Sequence, residues 1–159
     1  MLFSTCNVRF MLIHFAADHA GFNLKEKLKA FLQERGYEIK DHGAFVYDEN
    51  DDYPDFMHLA VKAVAENPEH NRGIFIGGSG QGEATIAARY RGIRIAVCDD
   101  AEKSEEKAKT WREHNDSNVL AIGARFVPEE VIKRVLLTWL ETPFSGEERH
   151  KRRIAKIDR

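Results

Sequence analysis

With 159 residues, 24 Lys and Arg against 26 Asp and Glu, and a formal charge of −2, the chain has the length of one domain built around a single core. The balanced charge argues against nucleic acid or an anionic membrane surface as its main partner, and no apolar run is long enough to cross a bilayer. Cys6 and Cys98 are far apart and show no metal-ligand spacing, so neither a disulfide scaffold nor a metal site is expected, and a reducing cytoplasm is the expected compartment.

Residues 1–10, "MLFSTCNVRF", lack the basic start, long apolar stretch and small-residue cleavage site of a targeting segment. They read as an N-terminal arm or as a start assigned too early, with Met11 the natural one, leaving residues 11–159 as a single domain. "LIHFAA" is short and apolar, as a buried parallel strand is. In the stretch that follows, Leu24, Leu28, Phe31 and Leu32 fall at helical spacing with lysines and glutamates between them, and Gly36 stands where a helix ends in the left-handed conformation. "YEIKDHG" reads as a second strand, followed by the acidic loop "VYDENDDYPD", with Pro54 suited to the first turn of the next helix.

"GIFIGG" is a third strand, "GEATIAARYR" a helix beginning inside a glycine loop, and "GIRIAVC" a fourth strand. A highly charged helix is expected over residues 101–113, then the strand "NVLAIGA", a helix opened by Pro128, and a basic tail forming one last helix. Strands alternating with helices predict an α/β fold: a Rossmann-like three-layer sandwich with a five-stranded parallel sheet and a C-terminal helix. Ligands bind such sheets at the carboxyl ends of the strands, which selects residues 17–21, 77–83, the segment leading to His114, and residues 123–125.

The loop "GGSGQGE" fails three familiar patterns. Its glycines are spaced by two where a dinucleotide fingerprint needs GxGxxG, it has no GK[ST] ending, and Gln81 breaks a GxSxG elbow. A strand-to-helix turn remains, whose amides serve either close packing or an anion, with Ser79 as an added hydroxyl donor. Glu83 stands in the first helical turn, where the macrodipole favours an acid and where it would also face such an anion. Asp18 and His19 follow the first strand, as a helix cap with its neighbour or as part of a ligand crevice. His114 and Asn115 lie between the fourth helix and the fifth strand, at the sheet end opposite the glycine loop, so a catalytic His114 must reach a neighbouring subunit's site. Arg125 follows the fifth strand, and Arg149 and Arg153 share one face of the last helix; forked, permanently charged guanidinium groups suit a phosphate monoester, while "RHKRR" alone also fits a solvated basic helix.

In combination, "ADHAGF", "DYPDF", "GGSGQGEATIAA", "GIRIAVC", "HNDSNVLAIGAR" and "RHKRRI" resemble, in order, the type B ribose-5-phosphate isomerases and the related galactose-6-phosphate isomerases, over residues 12–157. The resemblance implies a Rossmann-like fold, no metal or organic cofactor, and a homodimer or dimer of dimers with active sites at the interface. It also implies interconversion of an aldose phosphate and a ketose phosphate through a cis-enediolate. One branch carries a cysteine base where this chain has Gly77; the other carries a glutamate, which Glu83 matches. By carry-over, Glu83 moves the proton, the amides of Gly78, Gly80, Gln81 and Gly82 with Ser79 stabilise the enediolate, and Asp18 handles hydroxyl protons. His114 from the partner assists ring opening, Asn115 contacts the sugar, and His19, Arg125, Arg149 and Arg153 hold the phosphate. The chain departs from the family pattern in a longer, charged segment before His114, by about one helical turn, in Arg89 where asparagine is usual, and in Ala16 where glycine is usual. Isomerisation of a six-carbon sugar phosphate, and sugar-phosphate binding without turnover, are the alternatives.

Overall fold

The computed structural model describes residues 11–159; the expected N-terminal arm, residues 1–10, lies outside the described residues. The chain begins with β1 (Leu12–Ala17), α1 (Phe22–Gln33) and β2 (Glu38–Asp41). There follow α2 (Tyr53–Glu66), β3 (Arg72–Gly77), α3 (Gln81–Ala87), β4 (Ile95–Cys98) and α4 (Ser104–Glu113). It closes with β5 (Val119–Gly123), α5 (Glu129–Glu141) and α6 (Glu148–Ile154). The five strands form one sheet in the order β2-β1-β3-β5-β4, every pair parallel.

Alternation along the strands divides the core into two layers of contacts. Ile13, Phe15, Ile74, Ile76, Leu120 and Ile122 pack toward α1, α4 and α5, through residues such as Leu28, Ala108, Val135 and the fully buried Trp139. Ala16, Phe75 and Val119 face the opposite way, onto Met57, Ala60, Val61 and Val64 of α2 and Ile86 and Ala87 of α3. The central strands β1, β3 and β5 are therefore covered on both faces, as their unbroken apolar runs require.

Helix boundaries follow local chemistry. Beyond α1, Gly36 adopts φ +85° where any Cβ would be strained. Pro54 sits in the first turn of α2, where its missing N–H costs nothing. Two helices are shorter than their periodicity predicts. After Ala87 the bonds Arg89 N–H to Ile86 O and Tyr90 N–H to Ala87 O tighten the chain into three-residue turns, ending α3 four residues early. Before α4, Asp100 Oδ1 accepts the N–H groups of Glu102 and Lys103, holding that stretch as a turn until Ser104.

Candidate active site

The chain runs outward from β1 to β2 and then crosses back to β3 on the other side of β1. The carboxyl ends of β1 and β3 therefore flank the topological switch point, where the loops above the sheet diverge and leave a crevice. A cleft of about 300 Å³ lies there, lined by Asp18, Gly78, Ser79, Gly82, Glu83 and Arg125, with Tyr53 and Phe126 at its sides.

Glu83 is 3% exposed in the first turn of α3. Burial pushes its carboxyl above the ordinary carboxylate range; a hydrogen bond from its own backbone N–H opposes this, and the nearby Asp18 charge adds to it. The space that the carboxylate occupies exists because residue 77 is glycine: a Cβ built there would fall on the Glu83 carboxylate itself. The loop then turns tightly. Gly80 adopts φ +77° with its Cα against the backbone of β5, and Ser79 Oγ accepts the Gln81 N–H at 3.3 Å. The loop is also tied across to β5, where Ala124 and Arg125 donate N–H bonds to Gly77 O and Gly78 O at 2.9 and 3.1 Å.

That second tie brings the Arg125 side chain over Gly78, so that a Cβ at 78 would stand 3.1 Å from Nη1. Among the described residues no carboxylate oxygen lies within 4 Å of this guanidinium, which leaves an uncompensated cation in the cleft wall. On the opposite wall Asp18, 7% exposed, accepts the N–H groups of Ala20 and Gly21 through Oδ1 at 2.9 and 3.3 Å. It thus both shapes the turn into α1 and lines the cleft. His19 next to it is held by Asp51, whose Oδ1 meets the His19 backbone N at 3.0 Å and ring Nδ1 at 2.7 Å. That bond raises the His19 pKa against the opposing effects of desolvation and Arg125. Asp18, His19 and Asp51 are the described residues whose ligand atoms, all within 4.8 Å of one another, have the spacing to hold a cation; Oδ1 of both aspartates is already engaged by N–H donors.

The structure brings Asp18, Gly78, Ser79, Gly82, Glu83 and Arg125 together, with His19 beside them. It does not bring all the predicted residues. The exposed Gln81 side chain turns away and donates to Asp99 at 2.9 Å, and Gly80 lies beneath the loop against β5. His114 and Asn115 are exposed at the end of α4, before β5 begins, hence at the other edge of the sheet. There the His114 ring stacks on the buried His150 of α6, with centroids 4.4 Å apart and planes at 15°. Arg149 and Arg153 lie on the same short helix, exposed, with Arg149 bonded to Glu147 at 2.8 Å. Asp116 fixes the bend after Asn115: it adopts φ +46°, and its carboxylate binds Arg112 at 2.9 Å and Arg94 at 3.1 Å.

Asp51, Tyr53 and Phe126 are site residues that the motif reading passed over. Asp51 lies in the loop after β2, the one neighbouring strand end left out of the selection, and Tyr53 opens α2 directly behind it. The signal was present in "DDYPD", where an acidic run ends in an aromatic just before a helix start. Tyr53 explains a further glycine, since a Cβ on Gly82 would meet its ring at 2.7 Å.

A family model described as Ribose/Galactose Isomerase matches residues 13–157. The chain belongs to the ribose/galactose isomerase family. It is 39% identical over 145 residues to ribose-5-phosphate isomerase B of Escherichia coli, covering 91% of this chain and 93% of the relative. Its structure is similar to that of ribose-5-phosphate isomerase B from Mycoplasma genitalium with bound ribulose-5-phosphate, with a TM-score of 0.87 and 34% identity over 92% of this chain and 93% of that one. The Thermotoga maritima ribose 5-phosphate isomerase superposes with a TM-score of 0.83 at 40% identity, covering 92% and 97%. None of the three positions at which departures from the family pattern were expected lines the cleft: Ala16 is buried against α2, Arg89 is exposed beyond α3, and the charged segment forms α4, whose Ala108 packs into the core beside α5.

Proposed function

We propose that this chain interconverts ribose 5-phosphate and ribulose 5-phosphate, with Glu83 as the base. One observation carries the reading: a buried carboxylate and an uncompensated guanidinium, Glu83 and Arg125, face one cleft at the switch point. Arg125 and His19 receive the phosphate, and Glu83 takes the proton from C2 of the open-chain aldose and returns it to C1 of the cis-enediolate. A carboxylate is a weak base toward carbon, so most of the barrier must be lowered by stabilising the enediolate oxygens. Ser79 and the amides of Gly78 and Gly82, the loop residues that line the cleft, serve that role, each well-placed donor contributing about 3–4 kcal/mol. Burial assists as well, because a carboxylate with a raised pKa is a stronger base while it remains ionised near neutral pH. Asp18 moves hydroxyl protons.

In this reading the protein acts as a cytoplasmic homodimer, and His114, Asn115, Arg149 and Arg153 of one protomer complete the site of its partner. Their place at the opposite sheet edge, exposed and clustered around α6, supports a role outside their own subunit's cleft. The family description includes galactose as well as ribose, so six-carbon sugar phosphates are the second substrate class to assay. Purified protein is mixed with ribose 5-phosphate, ribulose 5-phosphate or a six-carbon analogue, and aldose–ketose conversion is followed. Glu83→Gln should lower turnover roughly 10²–10⁴-fold while leaving phosphate binding in place. Wild-type turnover in that variant would remove Glu83 as the base; sugar-phosphate binding without turnover by the wild type would make the protein a binding module.

A further inference from the structure

We propose that Asp51 is a positioning residue for His19: its Oδ1 fixes the imidazole beside Arg125 and holds it as the cation that meets the substrate phosphate. The inference rests on the sugar-phosphate reading above. The geometry is specific. One carboxylate oxygen meets both the backbone N and ring Nδ1 of His19, at 3.0 and 2.7 Å, so main chain and ring are oriented by a single group. With Nδ1 committed, Nε2 is the nitrogen left for a ligand.

The surroundings of Asp51 favour a cation beside it. Its side chain is 8% exposed, and Oδ2 is buried without a hydrogen-bond partner. A buried carboxylate with one oxygen unpartnered gains from a positive charge beside it, and among the described residues His19 is its one ion-pair partner. The charged groups acting on His19 are Asp51 from the loop before α2, Asp18 from its own turn and Arg125 from the loop after β5. The two aspartates favour the imidazolium and Arg125 opposes it, and the net direction is upward from the ordinary value of 6.5.

That direction has a use. A phosphate monoester becomes a dianion near pH 6, and an ordinary histidine loses its proton near 6.5. An unassisted imidazole would therefore be cationic over only a narrow range in which the substrate is fully charged. Raising the His19 pKa widens the range in which imidazolium and dianion coexist. The contribution of His19 to binding is present below its pKa and lost as pH rises through it.

Asp51→Asn preserves the size of the side chain and removes its charge. KM for ribose 5-phosphate should rise about three- to tenfold at about pH 7.5, with kcat changed less than about twofold. The difference should vanish toward about pH 6, where the imidazole is protonated without help. Asp51→Glu should recover part of the loss, Glu49→Gln in the same loop should match the wild type, and Asp51→Asn should add nothing in a His19→Gln background. The decisive readout is an NMR titration of the His19 ring, with and without inorganic phosphate, in wild type and Asp51→Asn. A lowered His19 pKa in the variant supports the proposal. An unchanged pKa, or a fall in kcat at unchanged KM, overturns it. If the wild type turned over no sugar phosphate, the functional reading above would fall, while the ring titration would still decide whether Asp51 holds the imidazolium.

Discussion

At the scale of single residues, the site turns on a choice made at two positions together. A Cβ at 77 and the Glu83 carboxylate claim the same space, so a chain that carries its base at one of these positions must leave the other clear. The clash is with the far end of a flexible side chain, not with backbone, and this separates folding from function. Gly77→Ala should fold with stability within about 1 kcal/mol of wild type, because Glu83 can swing aside. Its carboxylate would then be displaced by an ångström or more from the reacting carbon, and kcat should fall about 100-fold. Urea unfolding and steady-state kinetics on the same preparation test both halves; full activity would show that the Glu83 position is not critical. Glu83, Ser79, Asp18 and Arg125 were legible in the sequence because each stands in a motif at a strand end. Asp51 was not, because the selection of strand ends passed over the loop that follows the sheet's short β2, and Tyr53 stood within "DYPDF" without a role assigned to it.

At the scale of elements, periodicity located the helices and misplaced some of their side chains. Lys25 falls between Leu24 and Leu28 on what reads as the polar side of α1, yet it is fully buried. The reason is tertiary: Asp41, at the end of β2, meets its ammonium at 2.8 Å, and the Ala44 carbonyl accepts from it at 2.6 Å. No window confined to α1 contains those partners. His14 is a parallel case, since in "LIHFAA" it is one polar letter within an apolar strand. In the structure it is 3% exposed, its Nδ1 lies 2.9 Å from His42 Nε2, and its own Nε2 has no partner. Burial first, then the charges of His42 and Lys40, lower its pKa to about 4 from 6.5. The folded state thus holds His14 neutral where the unfolded chain takes up a proton. The stability it supports is complete above pH 6.5 and is lost as pH falls from there toward 4. The loss should be on the order of 2–3 kcal/mol across that window. Denaturant melts at a series of pH values should show this slope, and His14→Phe should remove most of it. An identical slope in the variant would assign the acid sensitivity to other groups.

At the scale of the whole molecule, the alternation of strands and helices made a parallel three-layer sheet legible from the chain alone. Lateral order was not legible: β5 lies between β3 and β4, and nothing in the period of an apolar run says which neighbour a strand takes. The sheet nevertheless carries a functional argument, because parallel strands put every carboxyl end on one edge and every amino end on the other. Glu83 and Arg125 belong to the first edge; His114, Asn115 and the arginines of α6 belong to the second. A site using both sets must join two protomers, and in a two-fold dimer each cleft then takes its glutamate from one chain and its histidine from the other. Glu83→Gln and His114→Asn should each be nearly inactive alone. When the two variants are co-expressed or refolded together, half the dimers are mixed, and each mixed dimer contains one site with both wild-type residues. The mixture should regain about a quarter of wild-type activity by this statistical count. Recovery near zero despite verified mixing would mean that each cleft takes both residues from one chain, and wild-type activity of His114→Asn alone would place His114 outside the reaction.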